Sequence, residues 1–353
     1  MTRVLIAGGG TGGHVYPAIA VAQVLREKHA ARVTFVGTAR GQEAIAVPRA
    51  GFDLEVMRVE PLKGVPSSKI FLNMIAASTA VGAALRLLVR LKPDVVLSVG
   101  GYAAGPVSLA AALSRIPLAL LEPNSVLGFT QRVLLRLARR LYVAYPGVGE
   151  SLAKTRVIGV PLRPGFLAAT YPPSDPQKLL ILGGSQGARA LNERAPAAVK
   201  GLLVRFPLLQ VLHQCGDADE PLVRRAYGGH SRVRVIPFVD DMPAAIRAAH
   251  LIVSRAGAVT LAEITAIGRP ALLVPFPQAA DDHQAKNAAA LASAGAAAWA
   301  RQDIATANWL EHQMGHLLDD RVRLRSMAGC ARALGRPNAA MDLADDLVRL
   351  VRT

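Results

Sequence analysis

Arg3-Val4-Leu5-Ile6-Ala7-Gly8-Gly9-Gly10-Thr11-Gly12-Gly13-His14 reads as a buried β-strand that stops at a run of glycines. In a strand over 3–7, residues 4–7 form a short apolar run, as expected of a strand covered on both faces of a parallel sheet. Glycines after a strand let the backbone turn tightly, and the unpaired N–H groups that open the next helix attract anionic oxygens. The pattern recurs twice. A strand over 95–99 runs into Gly100-Gly101-Tyr102-Ala103-Ala104-Gly105, and one over 178–182 runs into Gly183-Gly184-Ser185-Gln186-Gly187. The first and third turns open the two halves of the chain in matching positions. The expected fold class is therefore α/β, with two Rossmann-like doubly wound domains facing one another across a cleft.

Outward from these turns, strands are expected over 32–36, 118–121 and 140–143, and helices over 18–29 and 132–139. Proline density rises over 159–164 and 171–176 and the periodicity stops, which marks a domain boundary. The pattern then restarts with strands over 209–213, 233–236, 251–254 and 271–274. A last amphipathic helix over 341–351 follows the Pro337 break. The domains are placed at 1–160 and 161–337, with the terminal helix, 338–353, packing back on the first.

A chain of 353 residues with 52% hydrophobic content exceeds the roughly 250 residues at which single cores stop growing, so two domains are the starting point. Cys215 and Cys330 are far apart and form no CxxC pair, which argues against a zinc site or a disulfide framework and fits a reducing compartment. The first strand begins at once, so no secretion signal is read. A net charge of +16 suits nucleic acid, an anionic membrane face or phosphorylated substrates. Aromatic residues are only 5% and are not interleaved with Lys and Arg, which argues against nucleic acid. Residues 70–89 are apolar but carry Asn73 and Arg86, a poor membrane span. With Lys69, Arg90 and Lys92 at its ends, this stretch fits either a surface resting on anionic lipid or a core helix with solvated ends.

Gly8, Gly10 and Gly13 satisfy GxGxxG, so a nicotinamide dinucleotide is considered. The second strand ends Val36-Gly37-Thr38, without the acid that holds a ribose, although Arg40 can meet the extra phosphate of NADP. Asp217-Ala218-Asp219 spells a metal-binding DxD, but within the polar run 216–220 it reads as a solvated turn.

In order, Gly9-Gly10-Thr11-Gly12-Gly13-His14 with Pro17, Val36-Gly37-Thr38, Gly100-Gly101-Tyr102 with Gly105-Pro106, Gly183-Gly184-Ser185-Gln186-Gly187-Ala188-Arg189 with Asn192, and Phe238-Val239-Asp240-Asp241-Met242 resemble the MurG family. The match spans nearly the whole chain. The resemblance implies GT-B architecture and an inverting transfer of N-acetylglucosamine from UDP-GlcNAc to lipid I, giving lipid II. The alternatives are another UDP-sugar glycolipid transferase, a UDP-GlcNAc epimerase of the same fold, or a non-catalytic membrane-attached nucleotide-binding module.

The resemblance also implies site residues. On the donor side it places Ser185, Gln186, Gly187, Arg163 and Asn192 near the phosphates, Phe238, Val239 and Met242 around the uracil, and Thr260 near phosphate. Glu263 then meets the ribose, since a carboxylate suits two adjacent hydroxyls, and Gln284 meets the sugar. Thr11, Gly12, Gly13 and Asn124 join the donor set, and Arg255 or Arg163 helps to stabilise the leaving group. Gly10, Gly101 and Tyr102 belong to the acceptor side. His14 and Glu122 are both candidate bases. The chain departs from the family pattern at Leu121, Pro123, Gln131, Val160 and His283. No cofactor is required and no metal ligands are named, with a divalent cation such as magnesium left open. The implied partners are UDP-GlcNAc, lipid I and an anionic membrane surface, without nucleic acid. The implied location is peripheral, on the cytoplasmic face of the bacterial inner membrane.

Overall fold

Val4 and Ile6 lie in one hydrophobic core and Leu5 and Ala7 in another, so the first strand is buried on both faces with the two-residue period of a pleated sheet. This is seen in a computed structural model that describes residues 1–57, 70–101, 103–149, 152–172, 177–184 and 187–352. The chain divides into two compact units: unit 1 comprises residues 1–164 and 338–353, and unit 2 comprises residues 165–337.

In unit 1 the chain runs β1 (Arg3–Gly8), α1 (Gly12–His29), β2 (Arg32–Gly37), α2 (Glu43–Arg49), β3 (Asp53–Val56), α3 (Ile70–Leu91), β4 (Val95–Gly100), α4 (Ala104–Leu113), β5 (Leu118–Glu122), α5 (Phe129–Leu134), β6 (Arg140–Val143) and β7 (Thr155–Val157). Among the described residues the strands form one sheet of order β3-β2-β1-β4-β5-β6-β7, and every pairing is parallel.

Unit 2 runs β8 (Lys178–Leu182), α6 (Arg189–Arg205), β9 (Gln210–Gln214), α7 (Glu220–Tyr227), β10 (Val233–Ile236), α8 (Met242–Ala248), β11 (Leu251–Ser254), α9 (Ala258–Ile267), β12 (Ala271–Leu273), α10 (His283–Ser293), β13 (Ala297–Trp299), α11 (Ala307–Asp319) and α12 (Arg321–Leu334). Its parallel sheet has the order β10-β9-β8-β11-β12-β13.

The last helix, α13 (Ala339–Arg352), belongs to unit 1. Leu343, Ala344, Leu347 and Val348 join the core that holds Val4 and Ile6. Polar contacts fix its register: Asp345 accepts from Lys28 and lies 2.7 Å from His29 Nε2, and Asp346 accepts from the Tyr142 hydroxyl at 2.9 Å and pairs with Arg140.

Three differences from the sequence reading have physical causes. Helix α1 starts at Gly12 rather than at 18 and carries Pro17 inside it; burial of Val15, Ala18 and Ile19 outweighs the poor helix propensity of the glycines. The helix expected over 132–139 is α5, which ends at Leu134, because Arg139 N already donates to Leu118 O as the strand ladder begins. The strands β3, β7 and β13 are short and lie toward or at sheet edges, where the apolar signal is weak. The boundary between units falls at 164/165 rather than 160/161.

Candidate active site

Strand order reverses in unit 1 between β1 and β4, the switch point at which doubly wound sheets place ligands. Both strands end in glycine turns, and the turns interlock. Gly9 N donates to Gly100 O at 3.1 Å, and a Cβ on Gly8 would lie 2.1 Å from that oxygen. Only glycine permits this approach. His14, half-buried in the first turn of α1, has Nδ1 3.5 Å from Thr11 Oγ1, and its Nε2 lies 3.3 Å from where a Cβ on Gly100 would stand. The imidazole therefore sits where the two turns meet. Thr11, Gly12 and Gly13 open the helix there, and its ladder begins at Thr11 O, which accepts from His14 N at 3.1 Å and Val15 N at 3.2 Å. Gly10 and Gly101 belong to the same corner.

A residue not singled out in the sequence braces it. Glu43 is buried at the start of α2; Oε2 accepts from Gly10 N at 2.7 Å, and Oε1 accepts from Thr38 N and Thr38 Oγ1, both at 2.9 Å. Burial alone would raise its pKa, but these hydrogen bonds outweigh that and hold the carboxyl below its ordinary 4.5. Gly10 N is thus given to the protein's own carboxylate. A dinucleotide pyrophosphate would need that amide, so the NADP reading loses its support. The only signal in the sequence was a lone acid after Val36-Gly37-Thr38, six residues beyond the end of β2.

Glu122 ends β5 and is 3% exposed. Its Oε1 accepts from Asn124 N and Asn124 Nδ2 at 3.0 and 3.1 Å, and Oε2 accepts from Gly128 N at 2.8 Å. The carboxylate shapes the loop before α5, and Asn124 is part of that loop. Buried Gln131, one of the departures from the family pattern, donates to Leu121 O at 2.8 Å from the same region. Arg163 lies in unit 1, with its guanidinium 5.3 Å from the Tyr16 ring centre.

In unit 2 the strand order reverses between β8 and β11. Gly183 and Gly184 follow β8, and Gly187 precedes α6 with φ of +75°. Gln214, at the end of β9, clamps this corner: its Oε1 accepts from Gly184 N at 3.0 Å, while Nε2 donates to Gly184 O and Pro237 O at 2.9 and 3.0 Å. One buried amide thus ties the glycine corner to the segment that begins Pro237-Phe238. Phe238 is 59% exposed and Val239 is buried. Met242 opens α8, which Asp241 caps by accepting from Ala244 N.

Helix α9 opens beside the same switch point. Thr260 lies in its first turn and Glu263, 8% exposed, one turn further on. The loop before it is held from α10: Gln284 Oε1 accepts from Ala256 N at 3.2 Å and Phe276 N at 3.0 Å, and Asn287 donates to Ala256 O at 3.2 Å. With the Gln284 oxygen occupied by two backbone donors, its amide nitrogen is the group left to meet a ligand hydroxyl.

Two donor-side residues are engaged inside the protein. Arg255 donates to Val274 O and Pro275 O, both at 3.1 Å, and to Gln302 Oε1 at 2.7 Å. Asn192 is 1% exposed, and both its amide hydrogens go to Cys215 O and Asp219 Oδ2, at 2.8 and 2.7 Å. That bond also occupies a carboxylate of the DxD sequence. Among the described residues no group of three or more His, Cys, Asp or Glu side chains is arranged to hold a metal ion. Tyr102, Ser185 and Gln186 lie outside the described residues, as does Lys69 at the start of the apolar stretch 70–89.

Comparison with known proteins is consistent along the chain. Residues 4–143 match the glycosyltransferase family 28 N-terminal domain, and residues 178–344 match the family 28 C-terminal domain. A UDP-N-acetylglucosamine--N-acetylmuramyl-(pentapeptide) pyrophosphoryl-undecaprenol N-acetylglucosamine transferase from Sorangium cellulosum is 45% identical, covering 100% of this chain and 89% of its own length. The crystal structure of MurG from Acinetobacter baumannii superposes with a TM-score of 0.85 at 33% identity, covering 99% of this chain and 100% of that one. A UDP-GlcNAc 2-epimerase from Neisseria meningitidis, solved with UDP-GlcNAc, shares the fold at 13% identity and a TM-score of 0.67, over 99% and 100% of the two chains.

Proposed function

The chain belongs to the MurG family of N-acetylglucosamine transferases, and from that premise we propose how its residues divide the reaction. The enzyme moves N-acetylglucosamine from UDP-GlcNAc to the C4 hydroxyl of the N-acetylmuramoyl-pentapeptide of lipid I, forming lipid II in peptidoglycan synthesis. The observation that carries the division of labour is that all three glycine turns end strands at the two topological switch points.

Unit 2 holds the donor. Backbone amides flanking Gly184 and Gly187, with the first turn of α9, receive the diphosphate. Exposed Phe238 packs on the uracil beside Val239 and Met242, Glu263 accepts from the ribose hydroxyls, and the Gln284 amide nitrogen donates to a sugar hydroxyl. Unit 1 holds the acceptor at the corner of Gly10, Gly101 and His14. The acceptor C4 oxygen attacks the anomeric carbon and forms the new C–O bond. The bond to the UDP oxygen breaks with inversion, and the hydroxyl proton passes to His14. Geometry favours His14 over Glu122 as base, because both Glu122 oxygens already accept hydrogen bonds in a 3%-exposed site. Charge developing on the leaving diphosphate is met by preorganised amides. Asn192 and Arg255 serve by shaping the donor site, since their donors point into the protein. No cofactor takes part in this scheme.

The membrane-facing surface is assigned to unit 1. The adjoining helices α3, α4 and α5 expose Val89, Leu113, Phe129 and Val133 alongside Arg90 and Arg132. Apolar side chains with cationic neighbours suit the anionic cytoplasmic leaflet, where each cation contributes about 1 kcal/mol. No described helix is long and apolar enough to cross a membrane.

The test is transfer of labelled sugar from UDP-GlcNAc to a lipid I analogue on anionic vesicles. His14→Ala is expected to lower turnover and Glu263→Ala mainly to raise the donor KM, and high salt releases the protein from the vesicles. Wild-type kinetics for both variants would overturn the site, and salt-insensitive vesicle binding would overturn the surface.

A further inference from the structure

His213 is a fully buried titratable group that the transfer reaction does not use. It lies on β9 at 0% exposure, next to the clamp residue Gln214, and successive strand side chains project to opposite faces. Its Nε2 is 3.1 Å from Asn192 Oδ1, and its Nδ1 is 3.0 Å from the Tyr227 hydroxyl. Proton positions follow by elimination. Both hydrogens of the Asn192 amide are donated, to Cys215 O and to Asp219 Oδ2, so Asn192 Oδ1 can only accept. Nε2 must therefore carry the imidazole proton. The Nδ1 lone pair then accepts from Tyr227. Burial pushes the imidazole pKa down to about 4, which keeps the ring neutral and leaves one tautomer.

The direction of this chain has a structural consequence. Asn192 stands in the first turns of α6, while Cys215 follows the end of β9, so the amide pins the start of the helix to the end of the neighbouring strand. The glycine corner lies against that junction. A Cβ on Gly187 would come within 2.7 Å of Cys215 O and 3.6 Å of Asn192 Nδ2. A flipped Asn192 amide would point its oxygen at the Cys215 carbonyl and the Asp219 carboxylate, repelling both. A flip would also set the Asn192 NH2 against the Nε2–H of His213, so the ring reinforces the orientation that Cys215 O and Asp219 demand.

We propose that Tyr227, His213 and Asn192 form a one-way hydrogen-bond relay that positions the β8–α6 glycine corner for the donor diphosphate, with His213 as the positioning residue that fixes the Asn192 amide. This rests on assigning the diphosphate to that corner.

UDP affinity of the full chain, measured by calorimetry, together with donor and acceptor KM, tests it. His213→Phe fills the space but leaves Asn192 Oδ1 unpaired, and is expected to weaken UDP binding about tenfold. His213→Gln can place an amide N–H where Nε2–H stood, and should recover affinity to within about threefold of wild type. His213→Asn, whose shorter amide reaches only the Nδ1 position, should behave like the Phe variant. Acceptor KM stays unchanged in all three. Tyr227→Phe removes only the hydroxyl and covers the case in which His213→Phe does not fold; it should weaken UDP about two- to threefold. Gly187→Ala separates the two layers of the claim. If Gly187→Ala leaves UDP affinity intact, the diphosphate assignment fails. If Gly187→Ala weakens UDP while the Phe variants at 213 and 227 do not, or if Gln and Phe at 213 lose affinity equally, the relay fails.

Discussion

The two glycine corners look alike in sequence but are braced by opposite kinds of chemistry. Behind the first stands a buried carboxylate, Glu43, holding Gly10 N and both donors of Thr38. Behind the third, the groups that hold the turn are neutral amides, the Gln214 clamp and Asn192 of the Tyr227–His213–Asn192 relay, and the carboxylate at the end of that relay, Asp219, accepts from the Asn192 side chain rather than from a turn amide. A buried negative charge beneath a turn opposes a second anion there, whereas a neutral brace leaves the positive end of the following helix intact. Equal glycine content therefore does not mean equal phosphate affinity. This difference is a physical reason to place the nucleoside diphosphate on unit 2 and to leave the first corner for hydroxyl chemistry around His14.

The largest effect on activity that can break the comparison is expected from Glu43→Gln. An amide must turn a donor toward either Gly10 N or the Thr38 donors, so one buried N–H loses its acceptor at a cost of about 2 kcal/mol. Turnover should fall at least roughly tenfold as the corner beside His14 shifts, with little change in UDP affinity. A transfer assay and UDP calorimetry read both; a variant that loses UDP binding but keeps turnover would reverse the assignment of the corners.

The second effect is the pH at which each brace weakens. His213 is neutral in the fold with a pKa of about 4, against an ordinary 6.5, so the unfolded chain binds the extra proton between these values. Stability of unit 2 is full above pH 6.5 and declines as pH falls toward 4, by on the order of 3 kcal/mol. Glu43, whose pKa is depressed, contributes fully above 4.5 and loses its contribution only as pH falls through its lower folded value. Denaturation curves from pH 7 to 4 should show the slope in the wild type and lose it in His213→Gln. An unchanged slope would assign it to other groups.

The smallest effect is Thr38→Val, which removes the hydroxyl hydrogen bond to Glu43 and keeps the two from the backbone amides of Gly10 and Thr38. A loss of about 1 kcal/mol in thermal unfolding is expected, with UDP affinity untouched. A change in donor affinity would mean that the two corners are not separable.

Much of this architecture is legible in the residues alone. Strands that are apolar on both faces, each followed by glycines, specify parallel sheets with turns at the strand ends, and the restart of that pattern after the proline-rich boundary specifies a second unit. His14 stands out because it follows a glycine turn at a helix start, whereas Glu263, Phe238 and Gln284 are pointed to only by the family resemblance. Glu43, Gln214 and His213 do not stand out, because a lone acid or amide gives no sequence sign of what it will touch. For Asn192 and Arg255 the resemblance implies a place near the donor, and the fold adds that their donors are taken by Cys215 O and Asp219 in one case and by Val274 O, Pro275 O and Gln302 in the other.

By itself the sequence determined the two α/β units, the placement of glycine turns at strand ends and the family. Those properties depend on local backbone geometry and on hydrophobic period, which neighbouring residues carry. Only the tertiary structure decided which side chains remain available to a substrate. A polar group has a fixed number of donors and acceptors, and whether they are already used depends on atoms brought together from 33 residues away for Glu43 and Gly10, or 21 for Asn192 and His213.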